Sequence, residues 1–202
     1  MKAWAKITAM MFLAVLVIVL VVGLWLQRGF SARADPTAAE AYVARHLRHL
    51  AVPRAARTMP NPAPLTREVL GLARAHFADH CAMCHGNDGR GMTSIGRNLY
   101  PRAPDMTGPQ TRSLSDGELF YIIKNGVRFT GMPAWGEDTH EGDLESWHLV
   151  HFIRHLPKMT GEEIQEMESL NPKSPEVWMD EEMERRFLEG EDVPGAVHKH
   201  QH

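Results

Sequence analysis

Two cysteines three positions apart, followed at once by a histidine, sit at residues 81–85 in the stretch CAMCHG, and the chain holds no other cysteine. Three chemistries want two thiols and an imidazole this close together. A structural zinc takes four protein ligands, and only two thiolates exist to begin it. A dithiol redox pair of the thioredoxin kind belongs in a βαβ setting, and no such pattern surrounds this one. Covalent attachment of c-type haem uses Cys-x-x-Cys-His: two thioethers clamp the porphyrin edge and the next residue sets its imidazole on the iron. The last reading accounts for every residue in the stretch. It makes Cys81 and Cys84 the attachment sites of one covalent haem c and His85 the proximal ligand of its iron.

A second axial ligand must then come from elsewhere. Met132 is the best placed, within Gly131-Met132-Pro133-Ala134-Trp135, 47 residues after His85 and between two helical stretches. Pro133 restricts the backbone beside it. A thioether is soft and neutral, suits ferrous iron and raises the reduction potential of a Met/His pair. Met92 and Met106 are the rivals on a nearer loop, among twelve methionines in all.

These residues need elements to position them, and the periodicity supplies three helices. The stretch 66–80 has Val69, Leu70, Ala73 and Phe77 on one side and leads straight into Cys81. Residues 115–125 read as a second helix, with Ser115 as N-cap, Glu118 at the capping-box position and Gly126 as the stop. Residues 143–156 repeat the apolar stripe through Leu144, Trp147, Val150, Ile153 and Leu156. No alternating strand pattern is found, so the fold class is all-α. A few short helices bury little surface by themselves, and a held porphyrin would complete their core.

The chain has room for an anchor as well. Residues 7–26 run for twenty positions without a charge, long enough to cross a hydrocarbon core. Lys2 and Lys6 precede the run, which puts the N-terminus in the cytoplasm and the haem domain on the periplasmic side of a bacterial inner membrane. A cleavable signal is the rival, given Ala32-Arg33-Ala34 before Asp35. The run exceeds the usual h-region, and Trp4 and Trp25 sit where interfacial anchors belong, so a retained anchor fits better.

Charge divides the rest. Residues 1–65 carry a net +6, residues 66–157 a net −2 and residues 158–202 a net −7. No basic stripe with interleaved aromatics appears in the exported part, which excludes nucleic acid as a partner class. The expected organisation is an N-terminal transmembrane anchor over 1–34, a helical and Pro-rich linker over 35–64, a haem domain over 65–157, and an acidic helical extension over 158–202. In the linker, residues 35–52 read as a helix capped by Asp35 with Pro36 at its first position. Pro53 ends it, and residues 58–64 (TMPNPAP) read as an extended, proline-stiffened linker. In the extension, Thr160 and Glu163 form a capping box, and a further helix starts at Ser174-Pro175. Its Val177, Trp178, Met183 and Phe187 offer apolar surface for docking on this domain or a neighbouring protein.

Two histidine patterns remain. His198, His200 and His202 alternate at the terminus and could gather a divalent metal such as copper. His148, His151 and His155 read as the solvated side of the last domain helix.

Taken together, CAMCHGNDGRG (81–91), YPRAPDM (100–106) and SDGELFYIIKNGVRFTGMPAWG (115–136) resemble the class I monohaem cytochromes c of bacterial respiratory chains, over residues 66–157. The resemblance implies a small all-α electron carrier, with Cys81 and Cys84 as thioether sites and His85 and Met132 as axial ligands. It implies a crossing of first and last helices at Ala73 and Phe152, and a proline carbonyl, from Pro101 or Pro104, that orients the ligand imidazole. Arg97, Arg102 and Arg128 are of the type that pairs with haem propionates, though each also reads as ordinary solvated surface. The implied function is one-electron transfer, as a tethered carrier or as a subunit of a respiratory membrane complex. It is not an enzyme in itself. A haem-based sensor or a metal-handling protein using the His-rich terminus is the alternative.

Overall fold

A computed structural model of the chain describes residues 2–27, 29, 31–173 and 175–190. Among them every regular element is helical. The terminal histidines His198, His200 and His202 lie outside the described residues.

The chain opens with α1, Lys2–Leu26, whose segment Trp4–Leu26 has a mean hydropathy of 3.0 and no buried residue. Twenty-three residues at the α-helical rise give about 35 Å, enough by length and composition to cross a membrane. Helix α2, Ala38–Ala51, starts two residues later than the sequence suggested. Its cap is Thr37, whose hydroxyl accepts from the Glu40 amide while the Glu40 carboxylate accepts from the Thr37 amide. That reciprocal pair satisfies two free amides at once, which Asp35 could not do because the residue three on is Ala38, with no polar side chain to reach back.

The stretch straight after Pro53, ahead of the non-helical residues 58–64, is helical. It forms a short helix, α3 (Arg54–Arg57), which packs on the start of α7 (Asp116–Asn125). The approach is close: a Cβ on Gly117 would fall 1.8 Å from the Ala56 carbonyl oxygen. Glycine at 117 therefore allows the linker backbone to lie on the helix.

The core forms where α4 (Arg67–His76) crosses α8 (His140–His155), with α7 packed on α8 as well. Ala73 and Phe152 are both buried at this crossing, and the rings of Phe77 and Phe152 meet at 4.9 Å. Phe120 stacks on Trp147 with ring planes 6° apart. Helix α7 carries the capping box expected of Ser115 and Glu118. Helix α8 begins three residues before Asp143, because Thr139 caps it through the Gly142 amide.

Past residue 157 the chain turns back onto this core. Helix α9, Gly161–Glu168, has the Thr160 and Glu163 capping box, and its Met167 is fully buried against the domain. Arg74 reaches Glu166 at 3.0 Å and His155 reaches Glu163 at 3.0 Å, so α9 is fastened to both α4 and α8. By contrast α10, Pro175–Leu188, leaves its large apolar side chains in solvent.

The histidines of α8 are structural fasteners, contrary to the solvated face read from their spacing. His151 Nε2 lies 2.9 Å from the Ala63 carbonyl and pins the end of the linker. His155 holds α9, and His148 is half-buried. A helix wheel cannot show this, because the partners come from segments 88 and 8 residues away in sequence.

Candidate haem site

After α4 the helix widens into a π turn, Phe77–Cys81, before α5, Ala82–His85. The extra residue in the turn lets Phe77 and Ala78 stay in the core while Cys81 and Cys84 reach partly exposed positions. Both thiols are free. Burial, with Cys84 adding to it, pushes the Cys81 thiol up to about 12. A reactive dithiol works by the opposite shift, so the pair does not suit redox exchange.

The loop after His85 is fastened back over α5. The Gly91 amide donates to the His85 carbonyl at 2.7 Å, and the Thr93 hydroxyl donates to the Cys84 carbonyl at 3.1 Å. A Cβ on Gly96 would lie 2.1 Å from that same Cys84 carbonyl oxygen, so only glycine lets the 3₁₀ turn Gly96–Asn98 seat there. Further on, Ala103 donates to Gly96 and Met106 to Gly89. These bonds bring Pro104 beside His85.

His85 Nδ1 is buried without a geometric hydrogen bond. The Pro104 carbonyl acts on this imidazole as an acceptor and raises its basicity, while burial, the larger effect, lowers it. The imidazole is thereby held neutral, with a lone pair left for the opposite nitrogen, the form a metal ion requires. Of the two prolines open at the sequence level, Pro104 is the one whose carbonyl acts on His85.

Met132 is placed by a different device. Gly126, at φ 66°, ends α7 so tightly that a Cβ there would meet the Pro133 carbonyl carbon at 2.6 Å and the Met132 carbonyl oxygen at 2.7 Å. The Val127 amide donates to the Met132 carbonyl at 3.0 Å, and the Met132 amide donates to the Thr130 hydroxyl at 3.1 Å. Trp135 and Gly136 then donate to the carbonyls of Ile123 and Lys124. The loop is thus folded back on the end of α7.

Two contacts join the Met132 loop to the histidine side. The His80 ring meets the Trp135 ring edge-on at 5.3 Å, and a Cβ on Gly131 would strike the Leu99 side chain at 2.7 Å. Met132 is half-buried, whereas Met92 is 66% exposed and Met106 is 7% exposed and packed in the core. Neither rival combines access with support. Around the site Met83, Ile95 and Phe129 are exposed, Phe129 by 93% and at φ 62°. A bare aromatic in the left-handed region has no explanation within the polypeptide, and an apolar rim of this kind suits a flat apolar group.

The residues present therefore fit haem c. Residues 71–153 match the family described as "Cytochrome C oxidase, cbb3-type, subunit III". Over these residues the chain is similar to a class I cytochrome c domain. No curated protein matches the chain. A cytochrome c domain binds haem c and carries electrons to and from redox partners.

Of the three arginines weighed for propionates, Arg102 is taken up with Asp35 at 3.2 Å, Arg97 donates to the Thr93 carbonyl, and Arg128 is exposed. Among the described residues no group of three or more His, Cys, Asp or Glu is arranged to hold a metal ion. Sequence reasoning missed the Thr93 and Gly96 latch and the His80 to Trp135 contact. The "GMTSIG" stretch after the histidine was a signal for the latch alone.

Proposed function

We propose that the chain is a membrane-tethered monohaem cytochrome c that passes single electrons in a respiratory chain, as an electron-transfer subunit of a larger complex or as a tethered carrier. The observation that carries this is the CAMCH turn with its imidazole held neutral beside Pro104 and a supported methionine loop joined to it. In this reading Cys81 and Cys84 hold one haem covalently, His85 is the proximal ligand and Met132 the distal one. When bound, haem c supplies a reversible one-electron couple at iron, and Met/His ligation raises its potential.

The protein's own part is positioning and exclusion. Pro104 orients His85, the Thr93 and Gly96 latch keeps Cys84 and His85 in one frame, and the Val127 to Met132 bond keeps the thioether on its loop. A supported second ligand suits electron transfer, because ligand-binding chemistry wants an open position. Helix α1 would serve as the anchor over 1–34, with the N-terminus cytoplasmic and the haem domain over 65–157 periplasmic. The linker over 35–64 and the extension over 158–202 flank that domain. The matched family's description, a subunit of an oxidase, supports the assembled form over the solitary carrier.

Denaturing gels stained for haem test the core of this. The wild-type chain is expected to keep its pigment after boiling and acid extraction, and the Cys81→Ala/Cys84→Ala variant to lose all of it. Pigment that extracts from the wild type refutes the covalent reading. Mild detergent extraction should bring the chain out together with oxidase or quinol-oxidising subunits, and isolation as a lone polypeptide would refute the assembled form.

A further inference from the structure

We infer that the cleft between α2 and α7 binds the phosphate headgroup of an acidic phospholipid. The inference rests on the proposed membrane tethering. The cleft has a volume of about 320 Å³, on the order of ten water molecules, which is larger than a lone phosphate needs. One wall carries Arg45 and Arg48, three apart and so on the same side of α2. Gln110 and Ser113 add neutral polar groups, and Val52, Leu114 and Ile122 form an apolar floor. Charge for a phosphate and grease for a glycerol backbone thus occur in one cavity.

The two arginines have no other employment. Most arginines in the folded domain are engaged: Arg57 with His49, Arg74 with Glu166, Arg102 with Asp35, Arg154 with Asp116. Among the described residues neither Arg45 nor Arg48 is paired with a carboxylate. The one carboxylate in the cleft wall, Glu118, is already occupied. It accepts from the Ser115 amide at 2.8 Å and faces His49 Nδ1 at 3.3 Å. Arg57 donates to His49 Nε2 at 3.2 Å, so Nδ1 carries the hydrogen that points at Glu118. The chain Arg57, His49, Glu118 thereby neutralises the wall and leaves the two free guanidiniums to set the sign of the cavity. Guanidiniums bind phosphate through paired, charge-assisted hydrogen bonds.

Location selects lipid as the source of that phosphate. Eleven residues, 27–37, separate the end of α1 from the start of α2, a reach of at most about 40 Å when fully extended. The bonds of Arg102 to Asp35 and to the Arg33 carbonyl shorten it further by holding this segment against the domain. The start of α2 is therefore tethered within about 40 Å of the lipid surface whenever α1 is in the bilayer, and basic residues that reach that surface add to attraction for anionic lipid.

The test uses the full haem-loaded chain in nanodiscs of phosphatidylcholine with and without phosphatidylglycerol, with retained lipid counted by native mass spectrometry. The wild type is expected to retain one phosphatidylglycerol, and R45Q/R48Q to lose it with roughly tenfold to thirtyfold weaker occupancy. The control Arg54→Gln, an exposed arginine outside the cleft, should retain it. Equal retention by wild type and R45Q/R48Q overturns the inference. So does displacement of the lipid by excess inorganic phosphate, which would make the cleft a free-anion site. Failure of the tethering reading shows separately, as an intact mass lacking α1 and a chain absent from the discs. In that event binding of short-chain phosphatidylglycerol by the released chain tests the cleft by itself.

Discussion

At the scale of single residues the site depends on which atoms are denied water. His85 Nδ1 is buried, and burial lowers the basicity of the imidazole against a smaller opposing effect of the Pro104 carbonyl. The Met132 thioether is supported through backbone bonds on either side of it. Replacing Met132 by alanine leaves those backbone bonds intact and removes only the sulfur. The reduction potential of Met132→Ala should fall by on the order of a hundred millivolts, within the roughly 0.8 V that axial ligands span. Carbon monoxide should bind the reduced variant rapidly and the wild type slowly. Equal rates for the two proteins would assign the sixth position to another residue.

At the scale of elements, the domain is closed by a helix beyond the stretch that matches the cytochrome family. Helix α9 inserts Met167 beside Phe77, Ala78 and the rest of the core, and its capping box fixes the angle of entry. Met167→Ala removes a fully buried, unbranched side chain, at an expected cost of about 2–5 kcal/mol. Denaturant unfolding followed at the haem absorbance measures it. A loss under about 0.5 kcal/mol would mean that α9 stands off the domain in solution. The residue that separates α9 from α10 is not charge, since both are acidic. It is that α9 places an apolar side chain on the core whereas α10 points its Trp178, Met183 and Phe187 to solvent.

For the whole molecule the interface between α4 and α8 sets the response to acid. Burial lowers the pKa of His76, and the neighbouring His80 lowers it further, with Glu145 and Asp79 opposing. Burial, then His151, lowers His148, again against Glu145. Both groups bind protons less readily folded than unfolded, so their stabilising share is complete above the ordinary histidine value of 6.5 and is lost as pH falls below it. Glu163 behaves in the same sense at lower pH, because the Thr160 amide and His155 hold its carboxyl below the usual 4.5. The melting temperature should fall from pH 7 to pH 5 and fall again below pH 4.5, and the His76→Gln/His148→Gln variant should flatten the first step alone. A variant with the same slope as the wild type would place the acid-sensitive groups elsewhere.

The chemistry of this protein is written locally, and its support is not. Cys81, Cys84 and His85 lie within five positions, so the role proposed for them can be read without a fold. The apolar run of α1 is likewise continuous in sequence, and the capping boxes at Ser115 and Thr160 are complete within a few residues. What closes over distance had to wait for the tertiary structure. Pro104 over Pro101 was decided by how Ala103 and Met106 bond back to Gly96 and Gly89, and the contact of Trp135 with His80 spans 55 positions. The α8 histidines look solvated on a helical wheel, because nothing near them in sequence reveals that the Ala63 carbonyl and Glu163 will arrive to meet them. Short-range hydrogen bonds and covalent spacing can be read along the chain; burial and pairing between distant segments exist only once the core has brought them together.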